Sequence, residues 1–350
     1  MTNFVYANNV STTLAAATTS AMTTLTLASA INLPATIPTG YVLPLTLNDA
    51  ATRMIYEIVY VTMITGTTLT VLRAQEGTQA QNWAIGDYAF SAVTMGQMQS
   101  LQVSAPAVGD ARNLEMSVPA ASFTATMTAD EIVAKSMLGA PAQILSMFNQ
   151  TINLATTGAG GMDTGTSPLS GYVALYAIYN PTTGTAALLA TNATAILAPS
   201  VYGGAYMPAG YTSSALVSVW PTNTTGEFVI GYQAGRAISI VTKNVMTITT
   251  IVAAMTALSI ATTVPLNAKS VKGWRNATAT SAANLSITVA SSTTSIGESV
   301  MQCVSEATTL AQITGDFELQ IITPQEIYYM TYYLSATNPD FVIEVNGYTI

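Results

Sequence analysis

Histidine is missing from all 350 residues, cysteine occurs once, and only 7% of the chain is charged. Without histidine, serine- and cysteine-based triads of the usual kind lose their general base, and one cysteine with scattered carboxylates does not make a zinc site. Cys303 has no partner for an internal disulfide and reads as a small buried hydrophobe. Nine Lys and Arg face 17 Asp and Glu, a net charge of −8. So few cations cannot neutralise a run of phosphates, so nucleic acid is excluded as a partner. The start, Met1-Thr2-Asn3-Phe4, has neither the basic segment nor the apolar run of a secretory signal, so export by that route is not expected.

What remains is half apolar, enough for a core, and rich in threonine. The uncharged stretch between Lys243 and Lys269 invites a membrane span. Thr247, Thr249, Thr250, Thr256, Ser259, Thr262 and Thr263 interrupt it, however, and Leu258 and Ile260 follow a period of two, which favours strands. The same period recurs along the chain. Leu25 and Leu27 alternate with threonines, as do Phe123, Ala125 and Met127; Glu57, Val59 and Val61 interleave with Tyr56, Ile58 and Tyr60. Leu285, Ile287 and Val289, and later Phe341, Ile343 and Val345, repeat the pattern. Turn clusters separate these runs at Asn180–Gly184, Asn223–Gly226, Thr314-Gly315-Asp316 and Asn338-Pro339-Asp340. Half-buried strands joined by tight turns predict antiparallel sheets with one face on a core.

The expected fold is therefore all-β: a small antiparallel β domain over residues 1–105, then a larger jelly-roll-like β-sandwich over 106–350, with few short helices. One helix is predicted over Thr94–Val103, with Met95, Met98 and Leu101 on a common face; Pro141–Asn149 is a weaker helical candidate. Ser104-Ala105-Pro106-Ala107 places the domain boundary near residue 105.

Three elements in order carry a family resemblance: Met54–Thr62 with its Glu57-Ile58-Val59 core, the Gly66–Thr78 hairpin ending Arg73-Ala74-Gln75-Glu76-Gly77-Thr78, and the turn Trp83-Ala84-Ile85-Gly86-Asp87. Together, over about residues 4 to 101, they resemble the amino-terminal module of tailed-bacteriophage tail-fibre and related virion proteins. Residues 106 to 350 resemble more loosely the β-sandwich regions of tail fibres and decoration proteins, through Ala129–Val133, the Gly158–Gly165 loop, Pro208–Ser213 and the closing Phe341–Ile350 strand. The resemblance implies a virion protein assembled in the host cytoplasm. Its first domain would dock on tail or collar proteins, and its sandwich would project outward to host glycans. The partners implied are copies of itself, as a trimer, and other virion proteins. The alternatives are a capsid decoration (head fibre) protein and a glycan-degrading tail enzyme.

Read for themselves, Gly66 and Gly77 suit tight turns, Trp83 is a core anchor, Asp87 is placed to accept backbone amides, and Arg73 and Glu76 are expected to pair across a hairpin. Two carboxylates alone can hydrolyse a glycosidic bond, which makes Asp130, Glu131, Asp163, Asp316 and Glu318 the candidate acids. Asp316 and Glu318, two apart on a strand, would share the solvent side opposite Phe317 and Leu319, which argues for solubility instead of catalysis. Asp163 in its glycine-rich loop lacks the helix and lysine of a phosphate cradle and the neighbouring carboxylates of a calcium site. No enzyme activity, metal or cofactor is expected. The surface signal is aromatic: Tyr202, Tyr206 and Tyr211 among glycines near Trp220, and the pairs Tyr328-Tyr329 and Tyr332-Tyr333. Tyrosine with Ser, Thr and Asn suits glycan or subunit contact through stacking and neutral hydrogen bonds.

Overall fold

The computed structural model describes residues 3–104, 106–306 and 310–350. The chain divides into two compact units, Met1–Ala105 and Pro106–Ile350. Both are built almost wholly of antiparallel strands, and the protein has an all-β, sandwich-type fold.

In the first unit, β1 (Asn3–Phe4), β2 (Ser11–Thr13), β3 (Thr24–Thr26), β4 (Tyr41–Asn48), β5 (Tyr56–Thr65), β6 (Thr68–Gln75) and β7 (Tyr88–Phe90) precede helix α1 (Met95–Ser104). Six strands run in the order β2-β7-β4-β5-β6-β3, and β1 adds in parallel to β4. The two ends of this order meet. Ala15 donates its amide to Thr26 O, Ala28 donates to Thr13 O, and Leu14 stands opposite Leu27. The sheet is thus closed into a small barrel, which removes its free edges. Period-two alternation sends Leu25, Leu45, Leu47, Val59, Val61, Leu69 and Val71 into the lumen, which also holds Trp83.

Helix α1 starts at a capping box: Thr94 Oγ1 accepts the Gln97 amide and Gln97 Oε1 accepts the Thr94 amide. The face expected to pack is not the buried one. Met95 and Met98 are exposed while Thr94 and Gln97 are buried, because the polar cap, not an apolar stripe, ties the helix down. Leu101's side chain lies outside the described residues.

The second unit contains β8 (Ala111–Arg112), β9 (Glu115–Val118), β10 (Thr124–Lys135), β11 (Ala142–Asn153), β12 (Tyr172–Asn180), β13 (Thr185–Asn192), β14 (Ser213–Pro221) and β15 (Gly231–Ala234). It continues with β16 (Ala237–Ile248), β17 (Val252–Ser259), β18 (Ser270–Ala279), β19 (Ala283–Ala290), β20 (Ser299–Ser305), β21 (Ala311–Gln320), β22 (Glu326–Leu334) and β23 (Asp340–Thr349). A 12-stranded sheet follows the path β13-β12-β14-β10-β9-β15-β16-β23-β18-β21, with β8 and β11 also on β10. A four-stranded sheet, β17-β22-β19-β20, faces part of it. Leu285, Ile287 and Ile327 from the small sheet share one core with Val271, Phe341 and Ile343 from the large one.

Two expectations fail here for identifiable reasons. Pro141–Asn149 is not helical: Ala142–Asn153 pairs with β10 through eleven register positions, and that ladder overrides local helix propensity. Thr314-Gly315-Asp316 is not a turn but the middle of β21, where Gly315 is paired with Arg275. A Cβ there would collide with Met301 Sδ, so the glycine serves a close approach. The stretch weighed as a membrane span forms the end of β16, all of β17 and a turn, and among the described residues no helix is long and apolar enough to cross a membrane.

Candidate functional site

The motif residues of the first unit form a polar knot on the barrel. Glu57 points inward from β5 and is fully buried. Arg73 of β6 forks onto it, Nε to Oε1 at 2.8 Å and Nη2 to Oε2 at 2.7 Å. Trp83 Nε1 and the amides of Ala74 and Gln81 donate to the same carboxylate. Burial pushes the Glu57 carboxyl up, but these donors outweigh it and hold it below the usual carboxylate range. The Arg73–Glu76 pair expected from sequence is therefore absent; Arg73 is used by Glu57. Glu76 instead accepts from the Tyr60 hydroxyl, Thr94 Oγ1 and the Gly96 amide at the start of α1. Asp87 accepts the amides of Ala50 and Ala84, closing the turn after Trp83. On the outside of the same unit, a depression of about 500 Å³ is rimmed by Met54, Ile55, Tyr56 and Met95, with Met54 83% exposed.

In the second unit, β12 and β14 are buried along nearly their whole length. One face of β12 joins the main core through Val173 and Leu175, and the other, carrying Tyr172, Tyr176 and Ile178, is covered by the connection 193–212. Such a long connection needs internal ties. Asn267 brackets Ala198, accepting its amide and donating to its carbonyl; Leu216 donates to Ser200 O, and Tyr202 donates its amide to Ser214 Oγ. Beneath this connection lies a cavity of about 310 Å³. Tyr176 and Tyr202 meet edge to face in its wall, ring centroids 5.5 Å apart. Ala193, Ile196, Ala198 and Pro199 supply apolar surface, and Thr191 supplies a hydroxyl.

Asp163 from the glycine-rich loop reaches this wall. Its Oδ2 accepts the Tyr202 hydroxyl at 2.9 Å and its Oδ1 accepts the Thr164 amide, so it orients a tyrosine. Burial, together with that bond to a carboxylate, pushes the Tyr202 hydroxyl up to about 12. The chain then crosses the tip of Tyr202. Gly204 permits this, because a Cβ there would strike the Tyr202 hydroxyl, which also accepts the Tyr206 amide.

The other aromatic candidates are dispersed. Trp220 is fully buried and donates Nε1 to Val229 O, so it is core and not surface. Tyr206 is exposed and Tyr211 half-buried against the core under the connection. On β22, Tyr329 and Tyr333 pack inward, Tyr328 is buried with its hydroxyl on Glu326, and Tyr332 faces out. Tyr202 alone of the set lines the cavity. Tyr176, its partner there, was missed because β12 reads as an ordinary buried strand.

The candidate acids do not converge on a reaction centre. Asp130, exposed on β10, accepts from Asn113 Nδ2. Asp316 and Glu318 are exposed on one face of β21, opposite buried Phe317 and Leu319, as their spacing implies. They border an open depression of about 710 Å³ that also takes in Lys272 and Asn346. Both project the same way from one strand, whereas glycosidase carboxyls flank the scissile bond. Beside them, the half-buried Trp274 sits in register between Asp316 and Glu344, a surface aromatic that periodicity did not single out. Among the described residues no three Asp, Glu, Cys or His side chains are grouped as a metal site would need.

No protein-family model and no curated protein matches the sequence. Among solved structures, similarity extends to an exo-β-1,3-galactanase from Phanerochaete chrysosporium bound to galactose, at 10% identity over 87% of this chain and 67% of that one, with a TM-score of 0.15. A variant of that enzyme with β-1,3-galactotriose gives 9% identity, 86% and 67% coverage, and again a TM-score of 0.15. Similarity this low carries no argument about fold or chemistry.

Proposed function

We propose that the protein is a non-catalytic structural component of a tailed-phage virion, its first unit docking on tail or collar proteins and its second unit making outward contacts. The observation that supports this best is the use of the motif's charged residues. Glu57, Arg73, Glu76 and Asp87 are all engaged in bonds within the barrel, so the motif specifies a rigid module and leaves none of its charges for chemistry. A rigid module with the exposed apolar side chains Met54, Ile55, Tyr56 and Met95 on the rim of a depression otherwise lined by polar residues suits docking.

Self-association, as a trimer by resemblance, is part of the same proposal. From Tyr328 to Leu334 and across β19 and β20, no outward position of the small sheet is charged, and Val300, Val304, Tyr332 and Leu334 are exposed there. Such a face is suited to burial against another subunit.

The double substitution Met54→Asp/Tyr56→Asp tests the docking assignment. Both side chains are exposed, so the protein should fold with an unchanged melting temperature while its copy number on purified particles falls at least tenfold. Normal incorporation of the folded variant would refute it. Imaging the same particles places the chain on tail or shell.

A further inference from the structure

The cavity between β12, β13 and the connection 193–212 is a preformed site of definite chemistry. Its volume, about 310 Å³, lies at the small end of ligand pockets and suits a single ring, not an extended chain. Its lining carries no charged side chain. Asp163 stands behind Tyr202 with an oxygen on each of two donors, the Tyr202 hydroxyl and the Thr164 amide.

The hydrogen-bonding capacity that remains is specific. The Tyr202 hydroxyl already donates to Asp163 and accepts from the Tyr206 amide, so Tyr202 offers its ring to a ligand. The Tyr176 hydroxyl donates to Pro199 O and keeps a lone pair for a ligand donor. Asn192 is paired with Val173 and so belongs to the main-core face of the sheet, its Oδ1 taking the Thr194 amide, whereas Thr191, paired with Ala174, belongs to the cavity face. The Thr191 hydroxyl can donate to a ligand carbonyl, and Ala193, Ala198 and Pro199 form an apolar patch.

We propose that this cavity binds one N-acetylhexosamine residue of a neutral glycan. The pyranose ring lies against Tyr202, the acetamido methyl occupies the patch of Ala193, Ala198 and Pro199, and the acetamido oxygen and N–H meet the Thr191 hydroxyl and the Tyr176 oxygen. A plain hexose would leave the patch facing a hydroxyl, whose desolvation goes uncompensated. An acidic sugar would bring a carboxylate to a lining without a cation. A bare hydrocarbon would leave the tyrosine and threonine groups unmatched.

This assignment rests on the reading of the second unit as the outward, contacting part of a structural protein, and it is tested on the full chain in solution. The probes are methyl glycosides of N-acetylglucosamine, N-acetylgalactosamine and glucose, with N-acetylneuraminic acid, titrated by calorimetry and by saturation-transfer NMR. At least one acetamido hexoside should bind at least tenfold more tightly than glucose or the acidic sugar, with its acetamido methyl the most strongly saturated group. Gly203 lines the cavity at an exposed position, and a Cβ there meets open space, so Gly203→Trp sets a bulky ring at the cavity mouth without a clash at its Cβ. That variant should lose binding with its melting temperature unchanged. Thr191→Val, which removes the hydroxyl and keeps the shape, should weaken binding severalfold, and Trp274→Ala on another surface should leave it intact. The proposal is overturned if neither acetamido sugar binds saturably, if glucose binds equally well, or if Trp274→Ala and not Gly203→Trp abolishes binding. Particle incorporation is measured separately, so failure of the sugar site and failure of the docking role are distinguishable.

Discussion

Two buried charged side chains in this protein have opposite situations. Glu57 faces Arg73 in a bidentate pair, and three further donors fill its remaining lone pairs. Ala74 and Glu76 both adopt left-handed backbone beside it, a conformation that costs on the order of 1–3 kcal/mol per residue, and the Ala74 amide is thereby presented to the carboxylate. Glu57→Gln leaves the Arg73 charge without its partner, and we expect a loss of roughly 3–5 kcal/mol in the first unit, read by chemical denaturation. Because the folded-state pKa of Glu57 is depressed, its contribution is present above the unfolded carboxylate pKa and lost as pH falls through the folded value. The wild-type first unit should therefore weaken on acidification below the ordinary carboxylate range, and the variant should show less of that slope. An equal slope in both would contradict the assignment.

Arg275 is the contrary case. It is 1% exposed, donates Nη2 to Ser299 Oγ, lies with its guanidinium carbon 6.0 Å from the Phe317 ring centroid, and has no partner at Nε or Nη1. Burial alone lowers its hold on the proton. Arg275→Met keeps the volume and removes an uncompensated charge, so stability should stay level or rise by about 1–4 kcal/mol. A clear drop in melting temperature would mean that this charge has a partner in the assembled protein.

At the scale of elements, the connections 158–165 and 193–212 matter more than the strands they leave. Asp163 and Tyr202 were each legible as unusual residues among glycines, yet their meaning lies in the bond between them across 39 positions. Gly204 is the tightest point of that arrangement, and Gly204→Ala should displace Tyr202 and cost about 1–3 kcal/mol, with disturbed tyrosine near-UV dichroism as its signature. Strands with strict alternation, such as Leu285–Val289 and Phe341–Val345, were readable because period two reports which face is buried. Pro141–Asn149 was not, because its conformation is set by its pairing with β10 and not by its own composition.

For the whole molecule, scarcity of charge shapes both cores and surfaces. The barrel's charged motif residues are turned into its own bonds, and the second unit leaves a neutral sheet face and a neutral cavity. Contacts made by such surfaces rely on shape, stacking and apolar burial, and many weak ones sum when copies act together. The particle-incorporation and sugar-titration experiments probe these two surfaces independently.

The sequence by itself determined that the chain is all-β, where most strands and turns fall, and that histidine-based chemistry is out of reach, since alternation, turn residues and composition are local or additive properties. It took the folded chain to show that the first sheet closes on itself, that Arg73 answers Glu57 and not Glu76, that Trp220 is core, and that Tyr176, Tyr202 and Asp163 come together. Each of these depends on which distant strands pair, and pairing between remote segments leaves no periodic trace in the segments themselves.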